Sequence, residues 1–91
     1  MLVLIKSSPD TDEGRRGLKM ARDLSADIVF LQDGVYFALS EMIDGFCGTA
    51  YATEEDLALR GLRDRVNGVK VVGWEELVDM MADEEKVIGA I

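Results

Sequence analysis

Histidine is missing from this sequence, and cysteine occurs only once, as Cys47. Without histidine, Ser-His and Cys-His catalytic pairs are excluded, and so is a zinc site that uses imidazole. A single thiol cannot form an internal disulfide or a CxxC motif. One proline and nine scattered glycines leave no linker and no low-complexity segment. The 91 residues therefore predict a single domain, residues 1–91.

Basic residues are also scarce, with 10 Lys and Arg against 18 Asp and Glu, which gives a net charge of −8. Direct binding of nucleic acid requires a basic surface, so the composition argues against it. No apolar run approaches the roughly 18 residues of a membrane span. The run Met1–Ile5 is too short for a signal peptide. We therefore expect a cytoplasmic protein that makes no membrane contact.

Short apolar runs alternate with helical patterns along the chain. The runs cover residues 2–5, 28–31, 49–52 and 69–72, and each is typical of a strand buried in a parallel sheet. This order predicts an α/β fold: a four- to five-stranded, mostly parallel sheet with helices on both faces, in three layers. The tail, residues 86–91, is apolar and predicts either a fifth edge strand or a contact surface for a partner.

The helices are predicted from their first residues and from apolar spacing. Ser8 with Pro9, or Asp10 with Glu13, predicts the start of the first helix. The other apolar faces have helical spacing and comprise Val35, Leu39, Met42 and Ile43 in the second helix, and Trp74, Leu77, Val78 and Met81 in the last.

In sheets of this kind, ligands bind beyond the carboxyl ends of the strands. Asp33 and Gly34 follow the second strand and are candidate ligand-loop residues, although a helix cap and a turn explain them more simply. Thr53 and Asp56 follow the third strand, with Thr53 predicted to cap the next helix. The acidic residues at 54–56 are better explained as stabilising the positive end of the helix dipole than as ligands of a metal ion. No glycine-rich phosphate loop is present, and we predict no metal and no cofactor.

Three further residues are candidate interface positions. Arg60 precedes Gly61, where a cation suits the end of a helix; it can pair with Asp56 four residues earlier or contact another subunit. Tyr36 and Phe37 lie partly off the apolar stripe of their helix. Because aromatic residues are enriched in interface cores, these two are the leading interface candidates, with cover for the sheet edge as the alternative.

Two strings, with the opening and the last helix, resemble the DsrH/TusB family of small sulfur-relay proteins. They are Leu31–Tyr36, read as LQDGVY, and Glu55–Leu62, read as EDLALRGL. The opening LIKSSP and the late WEELV complete the resemblance, which covers nearly the whole chain in order. Leu59 departs from the family, in which a small residue usually precedes the arginine.

The resemblance implies a DsrE-like fold and a role in passing persulfide sulfur toward a sulfur-carrier protein. Family members typically assemble with two related DsrE- and DsrF-like subunits, and the sulfur reaches either 2-thiouridine at the tRNA wobble position or dissimilatory sulfur oxidation. The sulfur-bearing cysteine usually lies on a DsrE-type sister subunit, ahead of an RG element. Here Arg60-Gly61 is that element and the matching position is near Thr53. The resemblance therefore implies a non-catalytic subunit, which could also pair with itself.

Cys47 offers an alternative function, a small sulfurtransferase that carries persulfide on this thiol. A reactive thiolate requires a nearby cation or helix N-terminus. The nearest charge in sequence is the carboxylate of Asp44, so a plain loop cysteine is the preferred interpretation. A third hypothesis is a homo-oligomeric module that binds a small anion at the Asp33 and Thr53 loops, against which the net charge of −8 weighs.

Overall fold

The computed structural model describes residues 1–39 and 41–91, and within them one five-stranded sheet forms the centre of the molecule. All strand pairs are parallel, in the order β4-β3-β2-β1-β5. The strands are β1 (Leu2–Ile5), β2 (Asp27–Phe30), β3 (Ala50–Thr53), β4 (Lys70–Val72) and β5 (Val87–Ile88). The α/β fold predicted from the alternating pattern is confirmed, including the fifth edge strand in the tail.

Helical segments cover both faces of the sheet. The α-helices are α1 (Asp12–Asp23), α2 (Glu54–Leu59) and α3 (Trp74–Asp83), and short 3₁₀ segments span Gln32–Leu39, Glu41–Ile43 and Arg63–Arg65. Right-handed crossovers place α1, the 3₁₀ segments and α2 on one face as the chain moves from β1 to β4. The return from β4 to β5 places α3 alone on the other face. Among the described residues, no helix has both the length and the apolar character of a membrane span.

The first face holds the main hydrophobic core. Side chains from β1, β2 and β3 pack there against α1, α2 and the first 3₁₀ segment. Phe30 and Phe37 stack at the centre, with ring centroids 5.2 Å apart and planes at 18°. This face therefore supplies most of the apolar burial that stabilises the fold.

The second face has a smaller core beneath α3. Its buried members are Leu2, Leu4, Val29 and Leu77. The prediction that four residues of α3 form one buried face is wrong for three of them. Trp74, Val78 and Met81 are 54%, 64% and 38% exposed, respectively, and only Leu77 is buried. A single helix on a five-stranded sheet leaves one flank of its own apolar surface uncovered by residues 1–39 and 41–91.

Helix α1 begins later than its sequence predicts. Neither Ser8 nor Asp10 caps it; Thr11 does, since its hydroxyl accepts a hydrogen bond from the Gly14 N–H at 3.0 Å. The same hydroxyl donates to the Ser8 carbonyl at 2.7 Å. The Ser8–Asp10 segment therefore forms the turn that precedes the helix.

The second predicted helix forms 3₁₀ turns instead of an α-helix. Its buried residues are Gly34, Val35, Phe37 and Ala38, whereas Leu39 is exposed. These positions pair at i and i+3, which is the spacing that lies on one side of a 3₁₀ helix. The prediction of an α-helical stripe through Leu39 is therefore wrong.

The tail joins the edge of the sheet beside β1. Beyond β5, the backbone N–H of Ile91 donates to the Leu4 carbonyl at 2.9 Å. The Ile91 carbonyl accepts hydrogen bonds from the N–H groups of Lys6 at 2.9 Å and Ser7 at 3.2 Å. The tail thus covers the carboxyl end of β1, beside the point where the strand order reverses.

Candidate functional site

Adjacent parallel strands bring four of the predicted residues together. Asp33 lies beyond the end of β2, while Thr53 ends β3 and leads into α2, which carries Asp56 and is followed by Arg60. Because β2 and β3 are neighbours, their carboxyl ends meet at the same edge of the sheet. We call these four residues the strand-end cluster.

Asp56 is the buried centre of this cluster. The residue is only 6% exposed, and its carboxylate accepts a hydrogen bond from the hydroxyl of Thr53, which is fully buried. Thr53 occupies the N-cap position of α2, but its side chain makes no capping hydrogen bond. The prediction that Thr53 caps the helix through its hydroxyl is therefore wrong, because that hydroxyl donates to the Asp56 carboxylate.

The environment of Asp56 stabilises its ionised form. Burial is the largest single influence and raises its pKa, but the hydrogen bond from Thr53 opposes it, together with the Gln32 backbone N–H, the Trp74 side chain and the Arg60 charge. The net result is a pKa below the ordinary value for aspartate. Gln32 belongs to the candidate loop that follows the second strand, whereas Trp74 is predicted from sequence only as an apolar residue of the last helix.

Arg60 connects the two loops of the cluster. Its guanidinium Nη2 lies 2.9 Å from Asp33 Oδ1, and Nη1 lies 3.5 Å from Asp56 Oδ1. The Arg60 side chain is 18% exposed. One cation is thus shared by two carboxylates, which leaves the cluster with a net negative charge. This arrangement joins α2 to the loop after β2 and offers little attraction to an anion. Of the two alternatives predicted for Arg60, the structure contains the pair with Asp56.

Gly34 lies where the loop after β2 touches β1. Its N–H lies within hydrogen-bond distance of the carbonyls of Leu31, at 2.9 Å, and Lys6, at 3.1 Å. A Cβ at this position would lie 2.1 Å from the Ile5 carbonyl oxygen. The residue is therefore required for close approach of two backbones, which is one of the structural uses of glycine.

The two aromatic interface candidates lie in different surroundings. Phe37 is fully buried on Phe30, so the prediction that it lies in an exposed interface is wrong. Tyr36 is partly exposed and remains a surface residue. The 3₁₀ conformation explains the difference, because it turns Phe37 to the same side as Gly34, which lies against the sheet.

Cys47 lies at the opposite edge of the sheet from the strand-end cluster. It precedes β3, whereas the cluster follows β3, and its side chain is exposed. It lines an open cavity of about 210 Å³ together with two charged residues, Arg22 from the end of α1 and Asp44. Arg22 and Cys47 are far apart in sequence, so the sequence alone does not show that they line the same cavity. The Arg22 guanidinium donates to the Met42 carbonyl.

The three acids at the start of α2 have three separate partners. Glu54 pairs with Arg63. Glu55 accepts a hydrogen bond from the backbone N–H of Trp74 at 3.1 Å, and Asp56 accepts one from the Thr53 hydroxyl. They do not converge on one point. Across residues 1–39 and 41–91, no group of three or more Cys, Asp and Glu side chains has the geometry to hold a metal ion.

Comparisons with known proteins agree with this architecture. The family model described as DsrH like protein matches residues 7–87. The solution NMR structure of protein Tm0979 from Thermotoga maritima is similar, with 29% sequence identity and a TM-score of 0.69. That match covers 98% of this chain and 100% of the Thermotoga chain. Among curated proteins, no sequence matches significantly. With a family model that spans most of its length, this chain belongs to the DsrH-like family.

Proposed function

We propose that this protein is a non-catalytic subunit of a sulfur-relay assembly that passes persulfide sulfur to a carrier protein. Membership of the DsrH-like family supports the relay. The specific service we propose is 2-thiolation of the tRNA wobble uridine in the cytoplasm. The protein does not itself touch RNA, because a chain of net charge −8 has little attraction for a polyanion.

Thr53 is the observation that carries the non-catalytic role. It occupies the strand-end position where the family resemblance implies a sulfur-bearing cysteine on a sister subunit. A hydroxyl cannot hold persulfide sulfur, and this one is fully buried and donates to Asp56. Arg60, in the element that follows, is likewise occupied by two carboxylates. The strand-end cluster of this chain therefore supports a structural role beside an active thiol on another subunit.

Exposed apolar surface on α3 supports a role in assembly. Trp74 and Val78 are more than half exposed, which is unusual for large apolar side chains of a small soluble domain. The interface predicted from sequence lies on Tyr36 and Phe37 or in the tail, but Phe37 is buried and the tail pairs with β1. We therefore propose α3 as the main assembly surface.

Native mass spectrometry of the tagged protein from its own cells tests this proposal. We expect a heteromeric mass that contains two further chains of similar size, one with a cysteine at the position matching Thr53. Replacement of Cys47 by serine should leave sulfur transfer by the assembly unchanged, because the thiol of this chain takes no part. Recovery of this chain without any other protein, or loss of transfer in Cys47→Ser, would overturn the proposal.

A sulfurtransferase that uses Cys47 is the second candidate, and one observation favours it. Cys47 is exposed and shares its cavity with the cation Arg22. In this reaction, the Cys47 thiolate attacks the outer sulfur of a donor persulfide, a new S–S bond forms, and the donor leaves as its thiolate. Alkylation of Cys47 by iodoacetamide near neutral pH tests it. A rate well above that of free cysteine supports this candidate, and an equal or lower rate rejects it.

A further inference from the structure

We propose that Trp74 is a positioning residue, which fixes α3 relative to the strand-end cluster through hydrogen bonds that both of its N–H groups donate to α2. Its backbone nitrogen lies 3.1 Å from each carboxylate oxygen of Glu55. Its side chain, whose only donor is the indole N–H, donates to the carboxylate of Asp56. Because Glu55 and Asp56 are consecutive residues, the first turn of α2 holds the first residue of α3 at two points.

The strand register brings the starts of these two helices together. Thr53, the last residue of β3, lies opposite Val72, the last residue of β4. Helix α2 begins directly after Thr53, and α3 begins two residues after Val72. The helices then cover opposite faces of the sheet, so the contacts of Trp74 connect the two faces around the carboxyl edge.

Helix α3 has few other attachments to the sheet. Its N-cap residue, Gly73, has no side chain, and Leu77 is its one buried residue, with Met80 partly buried beside it. After the helix, Glu84 pairs with the amino group of Met1, but both groups are partly exposed, so water weakens the pair. A helix with so few buried contacts can rock on the sheet unless one end is held. The two hydrogen bonds of Trp74 hold that end.

These hydrogen bonds also account for the exposure of Trp74. Both N–H groups are directed to α2, whereas the side chain is 54% exposed. A tryptophan at the surface commonly directs its polar edge to a partner in this way. The position of Trp74 is therefore set by its two acceptors rather than by burial.

The contact adds a geometric requirement to the proposed function, on which this part of the inference rests. In that function, α3 joins the sister chains and the strand-end cluster lies beside their active thiol. Trp74 therefore sets the position of the assembly surface relative to the cluster.

Hydrogen exchange measured by NMR on the purified chain tests the indole contact. The sequence contains one tryptophan, so its indole N–H signal is unambiguous. We expect this proton to exchange at least about tenfold more slowly than in free tryptophan, and Asp56→Ala to remove the protection. Glu54→Ala is the matched control, because this neighbouring acid pairs with Arg63 instead, and it should leave the exchange rate unchanged.

Residual dipolar couplings measure the orientation of α3 directly. Trp74→Phe combined with Glu55→Ala removes both hydrogen bonds but leaves Asp56 in place, so it tests the inference even where Asp56→Ala does not fold. In this double variant, the couplings of residues 74–83 should fall by at least about a third relative to those of the sheet. Glu54→Ala should change neither set.

Three results would overturn the inference: unchanged α3 couplings in the double variant, an indole proton that exchanges as fast as in free tryptophan, or an equal effect of Glu54→Ala. The proposed function fails separately. A chain whose Trp74 is held but which is isolated without sister chains overturns only the relay. A heteromeric assembly in which Trp74 does not hold α3 overturns only this inference.

Discussion

At the scale of single residues, the contacts of Gly34 are closer than any substituent allows. The loop after β2 brings this backbone against the end of β1, and a Cβ would lie 2.1 Å from the Ile5 carbonyl oxygen. Gly73 also follows a strand, but the nearest atom to its Cβ position is 3.6 Å away. The two glycines therefore differ in the space around them, which sequence alone does not reveal.

Replacement of Gly34 by alanine should destabilise the fold by at least about 2 kcal/mol, because the backbones of β1 and the loop must separate. Gly73→Ala is the matched control and should change stability by less than about 1 kcal/mol. Urea denaturation followed by circular dichroism gives both values. Equal and small losses in the two variants would show that the close approach at Gly34 is not rigid.

Asp56 is the second residue with a defined energetic role. Asp56→Asn should lower the free energy of unfolding by about 2 kcal/mol at neutral pH, since it removes charge-assisted hydrogen bonds from a buried site. Asp33→Asn is the control, because the exposed Asp33–Arg60 pair contributes less than about 1 kcal/mol. Urea denaturation at neutral pH compares the two. A larger loss in Asp33→Asn would contradict the assignment of Asp56 as the centre of the cluster.

The contribution of Asp56 should also depend on pH. Because its folded-state pKa is lowered, the ionised carboxylate stabilises the fold fully above the unfolded pKa, near pH 4. This stabilisation is lost as the pH falls through the folded-state pKa. The gap in unfolding free energy between wild type and Asp56→Asn should therefore be constant from about pH 5 to 8 and close below about pH 4. A constant gap down to pH 2 would reject this linkage.

At the scale of elements, the 3₁₀ segment Gln32–Leu39 is the main departure from the sequence prediction. Its apolar residues fit an α-helical period, but Gln32 adopts a positive φ of 50° and Gly34 contacts β1. Both constraints come from tertiary contacts. The Gln32 backbone N–H donates to the Asp56 carboxylate, and the Gly34 N–H lies within hydrogen-bond distance of the Lys6 carbonyl, just after β1. The spacing of apolar residues along the sequence carries no information about either contact. It therefore predicts a helical segment but cannot distinguish a 3₁₀ helix from an α-helix.

Phe37 tests this description of the segment. Phe37→Ala should cost about 3–5 kcal/mol of stability, since it removes a fully buried ring that stacks on Phe30. The neighbouring Tyr36→Ala should cost less than about 1 kcal/mol, because its side chain is partly exposed. Thermal unfolding of both variants checks the difference. A small loss of stability in Phe37→Ala would contradict the assignment of Phe37 as a buried core residue.

At the scale of the whole molecule, the sequence predicts a sheet with helices on both faces, but not how unequally the helices cover the two faces. The apolar runs of β1 and β2 and the alternation with helices are sufficient for a parallel sheet. They cannot show that three crossovers cover one face and one helix covers the other, since this follows from strand order. For the same reason, Trp74 and Val78 have the spacing of core residues but are exposed.

The candidate site is predictable in part. The positions of Asp33, Thr53, Asp56 and Arg60 after strands mark them as candidates, and the structure brings these residues together. The roles of Gln32, Trp74 and Arg22 require the distances between elements that are far apart in sequence. The sequence predicts at which edge of the sheet these residues lie. It does not show which side chains contact one another there.

The position of β1 between β2 and β5 has a consequence for the order of folding. β1 pairs with β2 across a single helix, α1, but its pairing with β5 closes a loop of nearly the entire chain. Loop-closure entropy and contact order both delay such a contact. During synthesis, the residues of the first four strands are made before those of β5. We therefore expect a nascent sheet of four strands, to which the last strand adds as the final step of folding.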